Sequence, residues 1–185
     1  MKEYELLRAE MMDLFKAVTQ YGTVLYSAVA AILAFALQRD EFYLCMVPYV
    51  AILPLFLLSE SKNRGICKIA AYMYVFLEED EFHWEHRHHE LEIINSKKQR
   101  RGSVIPYYYL AITCSAAALF KVYANQDGWA LKGIESLIVI VITVISIIVM
   151  KKNKVNFNET RKEFITQWEA IKQSEKKAKE EQRSS

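Results

Sequence analysis

Apolar and charged positions are segregated along this chain instead of interleaved. Ala17 to Gln38 holds no charge over 22 positions, Phe42 to Ser59 none over 18 and Val104 to Phe120 none over 17. Ile134 to Met150 is interrupted only by Glu135. A helix rises 1.5 Å per residue, so runs of roughly 17–25 apolar residues cross the hydrocarbon core of a bilayer. Pro48 and Pro54 fall in the second run and predict a kinked helix there, because neighbours in a bilayer re-satisfy the freed carbonyl. Taken singly, each run also fits a buried core helix of a soluble domain. Four of them leave too little amphipathic helix to wrap such a core. The predicted class is all-α: a helical integral membrane protein with four transmembrane helices and cytoplasmic helical extensions.

Lysine and arginine set the expected orientation. Of 24 such residues, 21 lie in 1–16, 60–103 and 151–185, and only Arg39, Lys121 and Lys132 lie elsewhere. That bias places both termini and the central region in the cytoplasm. The chain then divides into a cytoplasmic N-terminal helix (1–16) and a first transmembrane hairpin (17–59). A cytoplasmic amphipathic helical region (60–103), a second hairpin (104–150) and a cytoplasmic C-terminal helix with a charged tail (151–185) follow. Arg39-Asp40-Glu41 makes the first hairpin tight, and Asn125-Gln126-Asp127-Gly128 is good turn chemistry for the second. The mixed-charge opening gives no removable signal peptide.

Small residues recur at helical spacing in the first span (Ser27 and Ala31, Ala30 and Ala34) and the third (Ala111 and Ser115, Cys114 and Ala118). Such pairs let backbones approach closely, within one chain or between copies. The fourth span has only Ser136 and Ser146, and its β-branched surface suits lipid. Within 62–94, Ile66, Ile69, Ala70, Met73, Phe76 and Leu77 mark one helical face, continuous with the second span. Glu78-Glu79-Asp80-Glu81 beyond them reads as a solvated face or a turn. In the tail, Phe157, Phe164, Ile165, Trp168 and Ile171 form a stripe that can dock on the central helix or on another subunit, with Asn158 or Thr160 as cap. Past Lys172 the sequence is almost wholly charged.

A net charge of +2 gives no field that implies nucleic-acid binding. The run Lys97-Lys98-Gln99-Arg100-Arg101 reads most economically as an electrostatic anchor to anionic lipid. Cys45, Cys67 and Cys114 are odd in number and scattered; the two in spans read as packing residues and no disulfide framework follows. All 4 histidines fall at His83, His86, His88 and His89. His86/Glu90 and Glu85/His89 have metal-holding spacing, but each face offers two ligands only, so no metal or cofactor is expected. An exposed or pH-responsive group fits the same residues. There is no P-loop, HExxH or G-x-S-x-G, and no arginine precedes a histidine by four to six residues. The chain is expected not to be an enzyme.

One segment carries a family resemblance: Cys67-Lys68-Ile69-Ala70-Ala71-Tyr72-Met73-Tyr74-Val75-Phe76-Leu77-Glu78, then Trp84-Glu85 after an acidic insert. It resembles a stretch of small prokaryotic membrane proteins linked to antiphage defence. Among these it is most similar to the accessory membrane proteins of type VI-B CRISPR systems. Length, the opening MKEYELLRAE and the order of spans agree. The resemblance implies a homo-oligomeric pore in the bacterial inner membrane that enhances RNA-guided defence by depolarising that membrane. It marks Tyr72, Phe76, Glu78, Trp84 and Glu85 as family-like positions. The partners it implies are membrane lipids, further copies of the chain and, functionally, a CRISPR effector nuclease, without direct nucleic-acid contact. The family's suspected ribonuclease motif is missing, so nuclease chemistry is not carried over. A pore needs a polar lining. Thr19, Gln20, Thr23 and Ser27 supply a polar run in the first span, which could equally be satisfied inside a bundle. A non-conducting scaffold that recruits a soluble partner, and a membrane-tethered metal enzyme using the histidines, are the rival readings.

Overall fold

The computed structural model describes residues 2–39, 41–77, 105–124 and 128–184. Among these the chain is helical and contains no strand. The helices are α1 (Lys2–Leu37), α2 (Tyr49–Tyr72), α3 (Ile105–Ala124), α4 (Trp129–Asn153) and α5 (Phe157–Ser184). A 3₁₀ turn (Phe42–Met46) leads into α2, and a π turn (Met73–Leu77) ends it. Four helices are long and apolar enough to cross a membrane. Asp40, the acidic run, the histidine group, Glu78, Trp84, Glu85, the basic run and Asn125 to Asp127 lie outside the described residues.

The expected kinked helix over Phe42–Ser59 needs correction. Pro48 does not bend an α-helix; it sits at the joint between the 3₁₀ turn and α2. Proline has no N–H to offer the carbonyl of Leu44, and that carbonyl instead accepts the Val47 N–H in the tighter 3₁₀ register, at 3.3 Å. The Pro48 carbonyl then takes the N–H groups of Ala51 and Ile52, both at 2.9 Å, and opens the α-helix. Pro54 lies inside α2, which continues through it. The cap assigned to the tail helix also shifts. Asn158 and Thr160 lie within the first turn of α5, and the Asn156 carbonyl accepts the Thr160 N–H at 2.8 Å.

The chain divides into two compact units. The apolar unit comprises Val18–Glu60 and Arg101–Lys154. Its helices differ sharply in how much of their apolar stretch is buried: 17% for α1, 22% for α4 and 44% for α3. α3 is therefore the central helix and α1 and α4 present most of their surface outward. Small residues explain this. Ala111, Cys114, Ser115 and Ala118 of α3 are all buried and admit neighbours closely. One cluster packs Leu25 and Val29 of α1, Tyr49, Ile52 and Phe56 of α2, and Tyr107 to Cys114 of α3 around Met150. A second joins Ala36, Cys45, Ala118 and Val139. Phe56 meets Tyr107 edge to face, with ring centres 5.3 Å apart. The outer face of α4 carries exposed Leu137, Ile138, Val141, Val144, Ile145 and Ile148, a surface with no polar group among them.

The charged unit comprises Met1–Ala17, Ser61–Arg100 and Val155–Ser185. Its α2 stripe is buried or half-buried from Ile66 to Leu77. Trp168 of α5 packs edge-on against Tyr72, at 5.2 Å, and Phe76, at 6.1 Å. The tail stripe thus docks on the helix continuing from the second span, and Ile171 stays exposed at its far end. From Lys172 to Arg183 α5 is solvent-exposed.

Candidate functional site

Three polar arrangements stand out, and the first lies on α1. Leu25, Val29 and Ala36 point into the apolar unit, which turns the opposite face outward. That outward face carries Gln20, Thr23, Ser27, Ala30 and Ala34 at alternating three- and four-residue steps, all exposed, with Thr19 beside them. Thr23 donates to the Thr19 carbonyl at 3.2 Å and Ser27 to the Thr23 carbonyl at 3.0 Å. The hydroxyls are satisfied by their own helix, not by other residues inside the bundle. Back-bonding of this kind lets hydroxyls sit in a span without a tertiary partner. The side-chain amide of Gln20 has no such short local acceptor. A polar seam with alanines beyond it, turned away from its own bundle, is an unfavourable surface to leave against acyl chains. It is a suitable one to close against copies of itself or against water. The contrast with the outer face of α4 is complete, since that face is all aliphatic.

The second arrangement is internal. The Tyr49 hydroxyl donates to the Ala111 carbonyl at 2.8 Å and lies 2.7 Å from Ser115 Oγ. Ser115 Oγ is 2.6 Å from Thr143 Oγ1, which donates to the Val139 carbonyl at 2.7 Å. This chain of hydroxyls pins α2, α3 and α4 at one depth. It is a fully satisfied network in an apolar interior, and such networks fix register. A further bond joins Tyr107 to the buried Ser59. Sequence reading passed over Tyr49 and Thr143, each a lone polar residue in an apolar run. Ser115 was visible only as part of the small-residue ridge. In α4, Glu135 Oε2 and Ser136 Oγ are buried without a hydrogen-bond partner among the described residues.

The third arrangement holds the described part of the family-like motif. Tyr72 stacks on Phe76 at 4.9 Å and its hydroxyl donates to Glu3 Oε1 at 2.8 Å, tying α1 to α2. In the π turn the Val75 carbonyl accepts Lys172 Nζ at 2.6 Å, and that ammonium also lies 5.6 Å from the Phe76 ring centre. Lys68 sits over Trp168 at 6.0 Å, while the indole N–H reaches the Lys68 carbonyl at 3.4 Å. Cys67 is buried, its thiol 3.9 Å from the Phe157 carbonyl. Tyr72 and Phe76 are thus brought together as the seat of the tail helix. No sequence signal announces the π turn, whose odd carbonyl is satisfied from 97 residues away.

The bond to Glu3 pushes the Tyr72 hydroxyl above its ordinary pKa, with burial and then the charges of Glu3 and Glu175 adding to the effect. A raised folded value favours the neutral phenol, so this contribution is full below about pH 10 and is lost as pH climbs through the raised value. Tyr72→Phe is expected to lower stability by about 0.5–1 kcal/mol at neutral pH. It should also flatten the alkaline limb of a thermal-melting profile that wild type shows above about pH 10. An unchanged alkaline limb in the variant would remove Tyr72 from that role.

Among the described residues no three His, Cys, Asp or Glu side chains converge as metal ligands. The histidines, which alone had suggested a metal, are not among those residues. No family model, characterised protein or solved structure matches the chain.

Proposed function

We propose that this protein is a membrane effector without catalytic activity that assembles from several copies into a pore. The observation that carries this reading is the outward seam Gln20, Thr23, Ser27, Ala30 and Ala34 on a helix long and apolar enough to cross a membrane. A single copy fills its interior with side chains, so a water path needs several copies around an axis, each contributing one polar face. The α1 seam supports that role because its alanines permit close helix approach and its hydroxyls need no partner. The aliphatic face of α4 is then left for lipid. The resemblance of Cys67–Glu78 and Trp84-Glu85 supplies the setting: the bacterial inner membrane, both termini cytoplasmic, and depolarisation that enhances RNA-guided CRISPR defence. Purified protein reconstituted into planar bilayers should give discrete conductance steps that grow in number with protein concentration. Bilayers that stay tight at every concentration would overturn the reading.

A non-conducting scaffold is the second reading, favoured by the exposed, charged stretch of α5 beyond Lys172, a surface suited to a soluble partner. Membrane potential on expression separates the two. A pore lowers it, and a scaffold leaves it intact.

A further inference from the structure

Within the apolar unit, α1 and the 3₁₀ turn enclose an open groove of about 390 Å³ lined by Ala31, Ile32, Phe35, Leu44 and Val47, all of them apolar. One wall is a flank of α1, where Phe35 stands one turn beyond Ala31 and Ile32. The other wall follows from Pro48. The 3₁₀ register it imposes bonds the Val47 N–H to the Leu44 carbonyl, and side chains three residues apart in that register eclipse, so Leu44 and Val47 form one ridge. Beyond Phe35 the chain turns through Gln38 and Arg39, whose N–H groups reach the Phe35 and Ala36 carbonyls, both at 3.1 Å. The Arg39 guanidinium lies 5.4 Å from the centre of the Phe35 ring. Among the described residues it forms no ion pair with a carboxylate.

Depth and charge identify the occupant. Arg39 directly follows the uncharged run Ala17–Gln38, whose 22 residues rise about 33 Å against a hydrocarbon core of roughly 30 Å. It therefore stands at headgroup depth. Phe35 lies about 6 Å deeper and Ala31 about 12 Å deeper, so the apolar groove runs from the cation toward the bilayer centre. We infer that the groove binds one phospholipid of the leaflet at the Arg39 end of α1, its phosphate on Arg39 and the upper part of one acyl chain between the two walls. The guanidinium fork matches a phosphate, and a ring beneath it holds the fork in place. A soluble anion would leave the groove uncovered. A second copy would have to bury the guanidinium without a ready counter-charge. Of the described acids in this unit, Glu60 is buried, Glu135 has a buried carboxylate oxygen and Glu41 already accepts the Tyr43 hydroxyl. The site requires membrane embedding and is independent of conduction.

Native mass spectrometry of the full chain in detergent tests this, with phosphatidylglycerol and a diacylglycerol of the same acyl chains titrated in parallel. Phosphatidylglycerol should be retained about tenfold more tightly, and R39Q should abolish that difference. The Arg39 side chain is exposed, so the variant should keep the wild-type melting temperature. If it does not, V47W tests the groove from the opposite wall. Val47 is exposed as well, and the indole should fill the groove and weaken both adducts. Excess glycerol phosphate, the headgroup without its chains, should not displace the lipid. Equal retention of the two lipids by wild type, a difference that survives R39Q, adducts unchanged in V47W, or displacement by glycerol phosphate would each overturn the assignment.

Discussion

Replacing Phe56 with alanine is expected to destabilise the folded bundle by about 3–5 kcal/mol, the largest single-residue loss in the apolar unit. Phe56 is fully buried and sits in the cluster where α1, α2 and α3 meet, edge-on to Tyr107. In a bilayer, lipid tails are as apolar as the interior, so the loss comes from forfeited packing contacts and the cavity left behind. The neighbouring network gives the contrast. Tyr49→Phe removes one hydroxyl but leaves Ser115 and Thr143 bonded to each other at 2.6 Å. Its expected cost is only about 1 kcal/mol, in line with hydrogen bonds between membrane helices. Unfolding of both variants in the same micelles checks the ranking. A larger loss for Tyr49→Phe than for Phe56→Ala would show that polar bonds, not packing, hold this bundle.

The second large effect concerns conduction. Gln20→Leu, Thr23→Leu and Ser27→Leu combined should reduce single-channel conductance at least about tenfold, because an apolar lining gates by dewetting. All three side chains are exposed in the single chain, so the fold should survive the change. The same three-leucine load on α4 is a null control, since that face is already aliphatic. Full conductance in the α1 variant would move the water path to another helix.

Much of this fold was legible because its strongest signal is one of composition. A run such as Ala17–Gln38, without a charge, has few soluble alternatives, and the helical class follows from it. The small-residue pairs were less informative. Ser27/Ala31 and Ala111/Ser115 look alike in sequence, yet the α3 pair is spent inside the chain and the α1 pair faces outward. That choice depends on tertiary packing, chiefly on Tyr49 of α2 filling the space beside Ala111 and Ser115. Pro48 shows a similar limit: proline marks a break in the hydrogen-bond ladder, but whether the chain bends or changes helix type is decided by its neighbours. The tail stripe from Phe157 to Ile171 was legible as an apolar face. Its seat on Tyr72 and Phe76 was one of two options until the packing was seen. Nothing in the sequence pairs Arg64 and Lys68 with an apolar wall, since the residues of α5 that face them come about 100 positions later.

Whether the outward face of α1 meets water at bilayer depth is open to direct measurement. Cys45, Cys67 and Cys114 are all buried, so a cysteine placed at Ser27 offers the accessible thiol. In reconstituted membranes, Ser27→Cys should react with a charged, membrane-impermeant thiol reagent and its conductance should be blocked as it does. Ile145→Cys, on the aliphatic face of α4, should stay unmodified. A Ser27→Cys thiol as inert as that of Ile145→Cys would mean that the polar seam faces lipid or another helix, and a pore lined by α1 would be contradicted.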